Sequence, residues 1–137
     1  MGSVFDSLAQ GFPWLIFYLL TVSVLYVGGI FVYVKLTPHK EFELVGAGNM
    51  AAAIHLSALI VSLALPLAAT LVHKISLIDV AVWGLFSLAL QLFLFRVTDM
   101  VFRGMPQLIE ADVPGPAMVL AAFKLAGAII LAFAIAG

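Results

Sequence analysis

Apolar residues along this chain run in stretches too long for a half-buried strand and too unbroken for a one-sided surface helix. Spanning about 30 Å of hydrocarbon takes about 20 mostly apolar residues as helix, because only an internally bonded backbone is satisfied there. Four runs qualify, at 12–34, 50–72, 77–102 and 117–136. The first stops at Lys35 and Thr37-Pro38, the second at His73-Lys74, and the fourth follows the breaker 112–117, DVPGPA. The third is charge-free only until Arg96, Asp99 and Arg103 arrive. The pattern predicts an all-α polytopic membrane protein, with four transmembrane helices in one domain over 1–137. Short connections place sequence neighbours antiparallel, as two hairpins.

Composition agrees: 65% hydrophobic and 9% charged residues, with mean hydropathy +1.25, lie far from the balance of soluble domains. A net charge of -1 without a basic run excludes nucleic acid as a partner. Zero cysteines exclude disulfides, thiolate metal sites and cysteine nucleophiles. Residues 1–11 carry Asp6 and no Lys or Arg, so the basic start of a cleaved signal peptide is missing and the first run is expected to stay. Lys35, Lys40, Arg96 and Arg103 fall at one end of the spans and only Lys74 at the other. The positive-inside rule makes the first and third loops cytoplasmic and puts both termini outside, with Trp14 and Trp83 at the outer interface.

A shift that superposes Pro38 on Pro106, Lys35 on Arg103, Val45 on Val113 and Met50 on Met118 raises the expectation of tandem hairpins in the same orientation. Polar groups within the spans crowd the cytoplasmic half. Asn49 and His55 open the second span, Arg96 and Asp99 close the third, and Lys124 lies about 10 Å into the fourth. Gln91 falls near the midplane.

Charges among acyl tails cost several kcal/mol, so they face protein or water. Lys124 therefore either reaches the headgroups or pairs with Asp99 between helices, or it lines a hydrated cavity together with Arg96. Three cations against one carboxylate would make that cavity favour anions. Advancing 100° per residue, Gly48, Ala51, His55, Ala58, Ser62 and Pro66 share a face of the second span, a small-residue stripe suited to close helix packing. On it His55 is either a buried side chain bonded to a neighbouring helix or a proton-responsive group in a wet path. Asn49, after Gly46 and Gly48, reads as a helix N-cap. Gln91 is either glue between helices or a pore-lining amide. Pro66 is expected to kink its helix.

No intramembrane carboxylate pair, G-x-S-x-G, H-E-x-x-H or phosphate loop occurs. Glu41, Glu43, Glu110 and Asp112 fall in loops, where a solvated face is expected. His39, His55 and His73 differ too much in depth to gather one metal. Neither an enzyme nor a metal or cofactor is expected.

The stretch 37–54, TPHKEFELVGAGNMAAAI, with Glu41, Leu44, Gly48, Asn49 and the alanines 51–53, followed by Leu65-Pro66-Leu67, Trp83 and Gln91, resembles the YjfL-like bacterial membrane family of unknown function. The resemblance covers the second to fourth spans and implies a small four-helix inner-membrane protein without catalytic residues, accessory to membrane-stress partners. His55, Arg96, Asp99 and Lys124 depart from it. Small multidrug exporters have an acidic residue in the first span, which is absent here.

Four helices cannot enclose a wide aqueous path alone, so permeation implies a homo-oligomer in the lipid bilayer. The leading expectation is a channel or transporter for a small ion, an anion slightly favoured, with a polar vestibule on the cytoplasmic side. The rival is a non-transporting scaffold whose loops, 35–45 and 103–116, dock a cytoplasmic protein.

Overall fold

The computed structural model describes residues 2–37 and 40–137. Its described residues form six helices: α1 (Gly2–Leu36), α2 (Glu41–Gly46), α3 (Met50–Ala69), α4 (Leu77–Val101), α5 (Met105–Glu110) and α6 (Pro114–Ala136). α1, α3, α4 and α6 are each long and apolar enough to cross a membrane, so the all-helical, four-span expectation holds.

Boundaries shift for local reasons. α1 begins at Gly2 rather than at residue 12, running unbroken through Pro13; a proline removes one intrahelical bond and leaves the rest. At about 52 Å it exceeds the hydrocarbon core. α3 stops at Ala69, before the expected residue 72, because Leu71 and Val72 bond carbonyls only three residues back. It runs through Pro66 as one continuous helix. α6 begins at Pro114, where proline's missing N–H costs nothing.

The two connections at the basic end are not open loops. α2 and α5 occupy them, and residues 40–50 and 104–114 share one backbone pattern. Leu44 N–H bonds Lys40 O as Leu108 bonds Gly104; Asn49 N–H bonds Leu44 O as Val113 bonds Leu108. Gly48 and Asp112 both take positive φ, +92° and +57°. The chain therefore does repeat a span–short helix–span unit, but in a different register. Gly48 overlies Asp112 and Met50 overlies Pro114, not Met118. The anticipated superposition rested on side-chain matches such as Pro38 on Pro106 and Met50 on Met118, whereas the observed one is a repeat of backbone turns.

α3 is the central helix. Its leucines Leu56, Leu59, Leu63 and Leu67 form a core with Tyr33, Leu88 and Phe95. Its alanines Ala51 and Ala52 join Met105, Ile109, Ala117 and Leu120 in a second. The most extensive packing joins α3 to α6, and the next joins α1 to α4. Small residues permit both approaches, since lipid offers no hydrophobic drive and close packing must hold helices together. On α6 the buried positions include Ala117, Ala121 and Ala128. Between α1 and α4 the fit is reciprocal. A Cβ on Gly84 would lie 2.5 Å from Leu25 Cδ1, and one on Gly29 would lie 2.8 Å from Leu88 Cδ2. Tyr26 ties α1 to α3 by donating to Ile60 O at 2.7 Å.

The predicted packing stripe is corrected at one position. Ala51, Ser62 and Pro66 are buried and Ala58 half-buried, but Gly48 precedes α3 and is exposed, because its positive φ belongs to the turn.

Candidate functional site

The basic end of the bundle holds a chain of polar side chains drawn from five helices. Tyr33 of α1 donates its hydroxyl to Glu41 Oε1 of α2 at 2.7 Å. Glu41 Oε2 lies 2.9 Å from His55 Nδ1 of α3, and His55 Nε2 lies 2.9 Å from Lys124 Nζ of α6. Lys124 also pairs with Asp99 Oδ1 of α4 at 2.8 Å. Its ammonium sits 5.4 Å from the centre of the Phe95 ring and 5.9 Å from that of Tyr33, within cation–π range.

Burial grades along the chain. Lys124 is 2% exposed, His55 1% and Glu41 4%, whereas the Asp99 side chain is 42% exposed. A lone ammonium at such a position would be prohibitively costly; a carboxylate, an imidazole and two ring faces offset the lost water. The partners also assign the protons. Lysine carries donors only, so His55 Nε2 must accept, and the remaining ring proton on Nδ1 is donated to Glu41. With a charged Lys124 the geometry thus calls for the Nδ1–H tautomer of His55.

Glu41 is the residue that sequence reasoning misplaced. Expected on a solvated loop, it opens α2 and is turned inward by that helix folding back against α3. The other unit of the repeat places Met105 at the corresponding start of α5, also buried. The scaffold is duplicated but its polar content is not. No periodicity signals this, because the inward turn is made by only six residues.

The remaining candidate residues separate into three groups. Asn49 caps α3 by accepting from Ala52 N–H at 2.9 Å and donates to Ile109 O at 2.7 Å. Asp112 is exposed in a turn, as expected, and also accepts from Ala51 N–H at 2.9 Å. The two units therefore lock the start of α3 together, and a carboxylate there suits the helix dipole. Gln91 on α4 is 1% exposed, and neither its Nε2 nor its Oε1 has a hydrogen-bond partner among the described residues. Arg96 is exposed and Lys124 buried, so the two do not share one environment. Among the three histidines, His39 lies outside the described residues and His73 is exposed beyond the far end of α3. Among the described residues no group of acidic and histidine side chains could hold a metal.

A cavity of about 670 Å³ opens at the same end. Tyr33, His55 and Phe95 line it, with Asp99, Arg96 and Arg103. Lys124 itself is not among its lining residues, but its ammonium contacts the lining rings of Tyr33 and Phe95 and the lining Asp99. At the opposite end a second crevice of about 400 Å³ is lined by Thr70, His73, Asp79 and Trp83. There Lys74 stacks over Tyr18, and Trp14 packs beside Tyr18, so the two tryptophans share that end as an interfacial belt would.

The family model described as Domain of Unknown Function (DUF350) matches residues 7–135. The chain is 28% identical over 100 residues to the UPF0719 inner membrane protein YjfL of Escherichia coli strain K12, covering 73% of this chain and 76% of the relative. The protein of the same name from Escherichia coli O157:H7 matches equally. No solved structure matches significantly.

Proposed function

We propose that this chain, which belongs to the DUF350 family of multi-pass inner-membrane proteins of unknown function, moves a small ion across the membrane through a vestibule entered at its basic end. The observation that carries the proposal is the buried Lys124, paired at 2.8 Å with Asp99, which lines a cavity of about 670 Å³. Ionisable groups at membrane depth are costly to keep and commonly mark ion pathways. Asp99 and Glu41 together set two carboxylates against Lys124, Arg96 and Arg103, which leaves an excess of positive charge at the entrance that favours an anion. Gln91, with an amide that no protein group engages among the described residues, supports a continuation toward the midplane. By the positive-inside rule the basic end is cytoplasmic and both termini are outside. Conduction belongs to a homo-oligomer, since Leu59, Leu63 and Leu67 fill the core of a single copy beyond the vestibule.

The test is halide and proton flux into liposomes containing purified protein, compared with Lys124→Leu and Gln91→Leu. Translocation requires anion flux above protein-free vesicles that both substitutions reduce at least about tenfold, as loss of a charge-stabilising site would. Flux that is absent in the wild type, or equal in all three, rejects it. The docking alternative draws on Phe42, exposed between Lys40 and Glu43 on α2.

A further inference from the structure

Arg96 and Arg103 both line the cavity at the basic end. Both are exposed there, and neither makes an ion pair or hydrogen bond among the described residues. The carboxylate between them in sequence, Asp99, is committed to Lys124 at 2.8 Å. A guanidinium does not give up its proton, and Arg96 sits about 8 Å inside the end of α4. These two cations call for an anion brought to them.

The walls identify which kind. Phe93, Met100 and Leu36 line the same cavity and are each more than half exposed on the bundle surface. The crevice between α1, α4 and α5 is therefore open sideways, with Phe93 about one turn deeper than Arg96, and Met100 and Leu36 at the level of the helix ends. A free inorganic anion would satisfy the arginines and leave those walls uncovered. We infer that the crevice binds an anionic phospholipid, its phosphate held by Arg96 and Arg103, its glycerol region beside Met100 and Leu36, and an acyl chain descending along Phe93. Gln107, on the rim of the same cavity, adds an amide donor. Basic pockets between transmembrane helices near the interface hold anionic headgroups by this combination of guanidinium pairing and apolar contact. A headgroup phosphate there takes up the charge of Arg96 and Arg103 that would otherwise favour a passing anion, so lipid and anion draw on the same two groups. Binding does not depend on translocation, because the arginines and the apolar walls are present whether or not an ion passes.

The experiment titrates the detergent-purified full chain with phosphatidylglycerol or phosphatidylcholine of identical acyl chains and reads retained lipid by native mass spectrometry. Wild type is expected to retain phosphatidylglycerol about 10-fold better, and the R96Q/R103Q double variant to lose that preference. Lys35→Gln removes a cation at the same end of the bundle that does not line the cavity, and it is expected to leave the preference intact. Circular dichroism establishes that each variant remains helical. Equal retention of the two lipids by wild type overturns the inference, as does an undiminished preference in R96Q/R103Q or an equal loss in Lys35→Gln. Displacement of phosphatidylglycerol by millimolar inorganic phosphate overturns it in favour of a free-anion site. Lipid retention is read without any flux measurement, so its failure and the failure of translocation are distinguishable.

Discussion

At the residue scale, the basic end is governed by donor and acceptor arithmetic. Lys124 has three protons to give, and His55 Nε2 and Asp99 Oδ1 are the acceptors set around it. Fifteen-nitrogen NMR of the detergent-solubilised protein should therefore show His55 neutral with its proton on Nδ1. An Nε2–H tautomer, or a doubly protonated ring under conditions where Lys124 is charged, would contradict the assigned network. Removing the lysine is predicted to be costly, because Asp99 and the Glu41–His55 pair would lose their shared cation. Lys124→Met should lower stability by about 3–5 kcal/mol, as loss of one partner of a buried pair does, measured by thermal unfolding in detergent. Asp99→Asn should cost far less, since its side chain is 42% exposed and reaches water in the cavity. If the two substitutions cost the same, the gradient of burial along the network is not what governs it.

At the element scale, two junctions hold the helices. The reciprocal insertion of Leu25 at Gly84 and Leu88 at Gly29 leaves no room for a side chain. Gly84→Leu should separate α1 from α4 and cost at least about 1–3 kcal/mol through overpacking, visible as a lowered melting temperature. The exposed Gly28→Leu, with nothing near its Cβ, is the comparison expected to be silent. The second junction is the start of α3, where Asn49 both caps its own helix and holds Ile109 O. Asn49→Ala should cost about 1–3 kcal/mol, the cap plus a stranded carbonyl. Asn49 as a cap was legible in the sequence, because a Gly-x-Gly-Asn stretch before an apolar run has few other uses. Its second bond was not, since it depends on α5 lying alongside.

At the scale of the whole molecule, two span–short helix–span segments follow one another and exchange contacts at the basic end. Orientation is open to direct test, because the chain has no cysteine and single reporters can be introduced. Gln107→Cys on α5 should be labelled by an impermeant maleimide only from the cytoplasmic side, and Ile75→Cys, 86% exposed at the other end, only from outside. The reverse pattern would place the vestibule mouth outside the cell.

The linear order of residues determined the membrane class, the four crossings and the crowding of polar groups into one half. Those follow from hydropathy and from the rise of a helix, and need no knowledge of neighbours. Lys124 and Asp99 could be matched as partners because opposite charges at membrane depth have few alternatives. Tertiary structure alone decided that α3 pairs most closely with α6, that Glu41 turns inward while Met105 occupies its place in the second unit, and that Arg96 and Arg103 face a shared crevice. Each depends on how short helices fold back and on which small-residue faces meet. Such choices are made by packing between segments far apart in sequence, where the periodicity of any one segment carries no information.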